Sequence, residues 1–134
     1  MRAATRDALV DRLRRFSVLV EVGIGRRPDV AGALAADREV RATDVVERAV
    51  PAGVAFFVDD VTDPDPTVYA GADVVYALNL PPELHRPALA VARAHGAAFA
   101  FTTLGGDAPE VPVRPETLPG ETLFWASDAT PGSE

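Results

Sequence analysis

The stretch Val18–Val30, "VLVEVGIGRRPDV", passes from an apolar run through a turn into the start of a helix. Its apolar part, with Ser17 before it and Val22 at its end, is long enough for a strand and too short for a buried helix. Gly23 and Gly25 follow at a spacing that permits a tight turn and a close approach of the backbone to a ligand. Pro28 suits the first turn of a helix reaching about Ala36, with Val30 and Leu34 on its inner face. Strand, glycine turn and helix in that order open a βαβ unit.

Outward from this unit the alternation continues. Upstream, Leu9, Leu13 and Phe16 recur at helical spacing over residues 5–16, with Thr5 as the expected cap. Downstream, strands are expected at Glu39–Thr43, Val54–Val58, Asp73–Leu78 and Ala97–Thr103, with a short helical segment around Val45–Ala49. The run "DDVTDPDPTVYAGA", residues 59–72, is punctuated by Asp and Pro and reads largely as turn. A helix from about Glu83 to His95 ends at Gly96 in the left-handed cap position. Apolar strands alternating with helices, without an in-out alternation of their own, predict a parallel sheet covered on both faces. The expected architecture is a doubly wound, Rossmann-like α/β three-layer sandwich with strand order 3-2-1-4-5. "ETLFWA", residues 121–126, is strand-like but no helix precedes it, so it is expected to return antiparallel at the edge beside the fifth strand. Residues 107–120 read as a Pro-rich loop and 127–134 as a disordered tail. An edge carrying Leu123, Phe124 and Trp125 would expose apolar surface and unpaired backbone, which predicts a homodimer through this side.

Composition narrows the function. At 134 residues, 48% hydrophobic and 25% charged, the chain reads as one soluble globular domain. It has no cysteine, which excludes disulfides and thiolate chemistry. "MRAATRDALVDRLRRF" lacks the apolar core of a signal peptide, and no segment approaches the roughly 20 apolar residues of a membrane span, so a cytoplasmic location is expected. Net charge is −7 and all 13 basic residues are arginine. Such a surface argues against nucleic-acid binding, which neutralises phosphates with cations. Acidic residues in excess, with arginine in place of every lysine, predict a salt-loving microbial source.

In a sheet of this order, ligands sit at the carboxyl ends of the strands, where the order reverses beside the first strand. The glycine turn lies there, yet the third glycine of the dinucleotide fingerprint is replaced by Pro28. Glu21 at the end of the first strand would repel a pyrophosphate and attract an ammonium group. Asp44 lies 19 residues after Gly25, at the end of the second strand, where an acid can bond ribose hydroxyls. Asp59 and Asp60 follow the third strand, and Asn79 the fourth.

An acid followed by a Gly-x-Gly turn resembles the first motif of class I methyltransferases. That resemblance implies S-adenosylmethionine as cofactor, with Glu21, Gly23, Gly25, Asp44, Asp59, Asp60 and Asn79 as its binding residues. The segments "VEVGIGRRPDVA", "ATDV", "DDVTDP", "YAGADVVYALNLPPELHRPAL" and "LGG" also resemble an uncharacterised UPF-series family of short archaeal proteins with a truncated methyltransferase-like Rossmann fold, over roughly residues 5–106. The resemblance implies a fold and an adenosine-type ligand cleft rather than an activity. An NAD-type nucleotide binder and a non-enzymatic scaffold or regulatory subunit are the alternatives. Glu21 and the missing third glycine disfavour the first of these.

Catalytic equipment is not legible. "NLPPELHRP" is similar to the Asn-Pro-Pro-aromatic motif of some amino-methyltransferases, but Leu80 intervenes before Pro81 and Glu83 replaces the aromatic ring. The proline pair reads as a rigid turn. His85 is a candidate general base, or a solvated residue in the first turn of a helix. His95 suits a helix carboxyl end. "DDVTDPD" lacks the glycine and distal Glu of a calcium loop, so no metal site is expected. Arg26 and Arg27 could hold a phosphate or carboxylate, or pair with Glu21 or Asp29.

Overall fold

The computed structural model describes residues 1–127; the tail expected to be disordered lies, from residue 128 onward, outside the described residues. Helix α1 (Ala3–Leu13) leads into β1 (Val18–Glu21), then α2 (Asp29–Leu34), β2 (Glu39–Asp44) and β3 (Val54–Val58). A single turn, α3 (Pro66–Tyr69), precedes β4 (Val74–Ala77), and a 3-10 turn at Pro82–Leu84 runs into α4 (His85–Ala94). The chain closes with β5 (Ala98–Phe101), β6 (Val113–Leu118) and β7 (Glu121–Ala126).

These strands form one seven-stranded sheet in the order β3-β2-β1-β4-β5-β7-β6. The first five run parallel in the expected order, and β7 lies antiparallel beside β5 with Phe101 opposite Phe124. Successive residues of each strand point to opposite faces, which divides the core in two. Leu19, Val40, Val74, Tyr76, Ala100 and Leu123 pack with Leu9, Leu13, Val30 and Leu34 from α1 and α2. Val20, Val75, Ala77, Phe99 and Phe101 pack with Val68, Ala88, Leu89 and Ala92 from α3 and α4. That is the three-layer sandwich expected from the sequence.

Three local expectations are corrected. Residues 107–120 are not all loop. Val113–Leu118 forms β6, a hairpin partner of β7, and it is β6 rather than β7 that makes the edge. Pro115 is tolerated there because an edge strand can leave one side unpaired. β7 is therefore paired on both sides rather than an open edge: Leu123 is fully buried, Phe124 and Trp125 are partly buried, and β6 presents Arg114, Pro115 and Glu116 at the edge. Second, no helix forms around Val45–Ala49. Val45 and Val46 are solvent-exposed, so a helix there would have no apolar face to bury, and Asp44 Oδ1 instead accepts the Val46 N–H at 3.4 Å. Third, Thr5 is not a cap. It sits buried inside α1, which begins after Arg2, and its hydroxyl donates to the Pro119 carbonyl at 2.6 Å, fastening α1 to the β6–β7 turn.

Candidate ligand cleft at the carboxyl ends of the first and fourth strands

β1 sits between β2 and β4, with Glu21 opposite Ala42 on one side and Tyr76 on the other. Because the chain leaves β1 toward one edge and returns from β3 to β4 across it, the loops after β1 and β4 diverge and leave a cleft. It measures about 240 Å³ and is lined by Glu21, Gly23, Ile24, Gly25, Arg26, Arg27, Leu78, Asn79 and Met1. Four residues expected from the sequence to bind a cofactor therefore meet in one place: Glu21, Gly23, Gly25 and Asn79.

The turn explains its glycines. Gly23 and Gly25 have φ of 69° and 60°, and a Cβ at Gly23 would meet nothing within 4 Å. Glycine is required here by the left-handed backbone rather than by crowding. Asn79 is the one other residue type in that region, at φ 55° among the described residues, as its short polar side chain permits. Its N–H donates to Thr102 Oγ1 at 2.8 Å, and the Leu80 N–H to the Thr102 carbonyl at 2.9 Å, so β5 fixes the end of β4.

Glu21 is 1% exposed, and Tyr76 donates its hydroxyl to Glu21 Oε1 at 2.8 Å. It has no ion-pair partner among the described residues. Burial pushes its carboxyl up to about 8, against the smaller downward pull of the Tyr76 hydrogen bond. Burial likewise drives the Tyr76 phenol upward, with the neighbouring Glu21 adding to it. The pair is therefore a protonated acid and a phenol at neutral pH. Tyr76 is a residue the sequence reading missed, although a tyrosine inside an apolar strand always needs a partner for its hydroxyl.

The remaining acids stand around this cleft rather than in it. Asp44 Oδ2 accepts the Gly25 N–H at 2.8 Å and Arg48 Nε at 3.3 Å, tying the glycine turn to the end of β2. Asp59 accepts the Asp65 N–H at 2.8 Å and the Tyr69 hydroxyl at 3.1 Å, bracing the loop before α3. Asp60 takes the Thr62 N–H and hydroxyl, bonds that hold its carboxyl below the usual range. Arg26 and Arg27 are exposed on the cleft rim and pair with neither Glu21 nor Asp29.

His85 is fully buried rather than solvated. Its Nε2 donates to the Leu80 carbonyl at 3.0 Å and its Nδ1 accepts the Glu110 N–H at 3.0 Å. With both nitrogens engaged, it is a joint between the Pro81–Pro82 turn and the loop after β5, and it has no base to offer. His95 bonds the Val91 carbonyl at 2.9 Å, a capping contact at the end of α4.

A family model described as an uncharacterised protein family, UPF0146, matches residues 7–129. The chain belongs to that family. A UPF0146 protein of the archaeon Halobacterium salinarum is 53% identical over 119 residues, which cover 87% of this chain and 92% of that one. Among solved structures, magnesium protoporphyrin IX methyltransferase from Synechocystis with bound S-adenosylhomocysteine superposes with a TM-score of 0.64 at 13% identity, over 90% of this chain and 80% of that one. An RNA methyltransferase from Salinibacter ruber in complex with S-adenosyl-L-homocysteine gives 0.59 at 18% identity, over 94% and 95%. At these identities the structures establish a shared methyltransferase-like fold, as the sequence reading expected of this family. Among the described residues no helix is long and apolar enough to cross a membrane.

Proposed function

We propose that the chain binds S-adenosylmethionine, or a related adenosine ligand such as its demethylated product, in the cleft between the β1 and β4 loops. The observation that carries this is Glu21. It is a buried carboxyl with one neutral hydrogen-bond partner, lining the same cleft as the glycine turn. A buried acid is costly to ionise without a counter-charge, and a ligand ammonium beside it supplies that charge. Solved neighbours of the same fold hold S-adenosylhomocysteine, which supports the same class of ligand.

In this reading Glu21 faces the ammonium, and the exposed guanidiniums of Arg26 and Arg27 take the amino-acid carboxylate. The left-handed turn at Gly23 and Gly25 leaves backbone open to the ligand's middle. Asp44 Oδ1, held only by the long bond to Val46, keeps acceptor capacity for ribose hydroxyls. The exposed apolar side chains of Val45 and Val46 then give an adenine ring a surface to cover. When bound, S-adenosylmethionine supplies an electrophilic methyl group; Asn79, at the end of β4, lines the cleft that would hold it. The reading assigns binding, in a methyltransferase-like setting.

A scaffold that kept the fold is the second reading. Asp59 favours it, because both of its oxygens are spent on the chain's own loop. Calorimetry in molar salt with S-adenosylmethionine, S-adenosylhomocysteine, adenosine and NAD separates the cases. Binding of the first two, with adenosine weaker and NAD absent, is expected. Silence with all four leaves the scaffold, and NAD binding alone transfers the site to a dinucleotide.

A further inference from the structure

A second concavity lies at the opposite end of the sheet from the glycine turn. It measures about 520 Å³, within the usual range for small-molecule sites, and opens between the end of α1, the start of β5 and the β6–β7 hairpin. We propose that this groove is a second binding site, for a planar aromatic ring that carries a phosphate, such as a purine nucleoside monophosphate.

Charge is the first argument. The chain has 20 acidic residues to 13 arginines, and most of its arginines are paired with a carboxylate or a carbonyl. Arg15 and Arg114 line the groove and make no ion pair among the described residues. Glu116 is the carboxylate among the lining residues, and it is already occupied. Its Oε2 accepts Arg12 Nε at 2.6 Å and its Oε1 accepts the Trp125 indole N–H at 3.0 Å. Arg12 in turn holds Asp11 at 2.6 Å outside the groove. Arg15 acts on Glu116 through space only. The groove is thus a positive pocket in a protein of net charge −7, and guanidiniums suit phosphate because their fork matches its oxygens.

The second argument is the wall. Phe16 and Trp125 stand with ring centroids 5.9 Å apart and planes at 32°, and both are only partly buried. The indole is fixed by its bond to Glu116, so it presents a rigid flat surface at little entropic cost. A ring covering Trp125 while its phosphate meets Arg15 and Arg114 uses both features at once. Neither residue set touches the Glu21 cleft, so the inference stands whatever binds there.

Trp125 is the chain's single tryptophan, so its fluorescence reports the groove alone. Guanosine 5′-monophosphate is titrated at moderate salt against wild type, Arg15→Gln, Arg114→Gln and the double variant, with guanosine and inorganic phosphate as partial ligands. A saturable change with the monophosphate is expected, at least about tenfold weaker in either single variant and with either partial ligand. Both arginines are exposed, so the variants keep the fold, which circular dichroism verifies. Glu21→Gln run in parallel should leave the response unchanged. No saturable response at millimolar nucleotide, or equal affinity in the double variant, overturns the proposal.

Discussion

Replacing Glu21 by Gln tests the buried acid without disturbing its shape. The amide keeps a carbonyl to accept the Tyr76 hydroxyl, so only the titration is removed. Burial raises the Glu21 carboxyl from an ordinary value of 4.5 to about 8 in the folded chain. Below pH 4.5 folded and unfolded chains are both protonated there, and the group does not affect stability. Between that pH and about 8 the unfolded chain releases the proton and the folded chain keeps it, so wild-type stability falls as pH rises. Above about 8 both states are ionised and the loss is complete.

The gap between 4.5 and about 8, at about 1.4 kcal/mol for each pH unit, amounts to about 5 kcal/mol. Glu21→Gln avoids that loss. It should match wild type near pH 4.5 and exceed it by about 4–5 kcal/mol at pH 8.5, or roughly 15–20 °C in melting temperature for a chain of this size. Thermal unfolding followed by circular dichroism across this range, in one salt concentration, measures it. The difference between the two proteins isolates Glu21 from the other titrating groups. A difference that stays constant with pH would refute the reasoning, because it would mean that the folded chain holds Glu21 ionised at its ordinary value.

The same proton enters ligand binding. S-adenosylmethionine at pH 7 should release close to one proton on binding, seen as a heat that varies with the ionisation enthalpy of the buffer, and Glu21→Gln should abolish that variation; buffer-independent heats in wild type would separate Glu21 from the ligand. Asp44→Ala removes the acceptor of the Gly25 N–H and a partner of Arg48, so it should lower stability without any ligand by about 1.5–3 kcal/mol in urea unfolding, which a purely ligand-binding acid would not do. His85→Ala leaves the Leu80 carbonyl and Glu110 N–H unpartnered around a cavity, with an expected loss of about 3–5 kcal/mol at every pH at which the protein is folded. Asn79→Ala should cost about 1 kcal/mol through its left-handed backbone while Asn79→Gly is close to neutral, and equal effects of the two would assign the residue's importance to its side chain.

The parts of this molecule that were legible in the sequence are those decided by local pattern. Short apolar runs separated by helical periods specify a parallel sheet, and the left-handed glycines after the first run fix where its loop turns. The parts that were not legible depend on what another segment brings. "VRPETL" has the composition of a turn, and only the partner β7, with Pro115 opposite Phe124, makes it a strand. His85 reads as a solvated residue until the loop after β5 closes over it and supplies the Glu110 N–H.

The acids show the same division with a consequence for function. Asp44, Asp59 and Asp60 sit at strand ends as the sequence indicated, and each spends hydrogen bonds on the neighbouring turn. Glu21 differs in being itself buried in the cleft wall, with the Tyr76 hydroxyl as its side chain's partner. A carboxylate serving only to shape a turn does so at the surface, as Asp60 does, where ionisation costs nothing. Keeping Glu21 buried instead burdens the folded chain at neutral pH by about 3 kcal/mol, a substantial share of the stability a domain of this kind possesses. A neutral side chain of the same size would pack as well and bond Tyr76 equally, so fold stability does not account for the acid. A cation that visits the cleft does, because it lets the buried acid ionise as half of an ion pair. A stable Glu21→Gln protein that has lost its preference for ligands bearing an ammonium group is the outcome this argument requires, and one that binds them as well as wild type would end it.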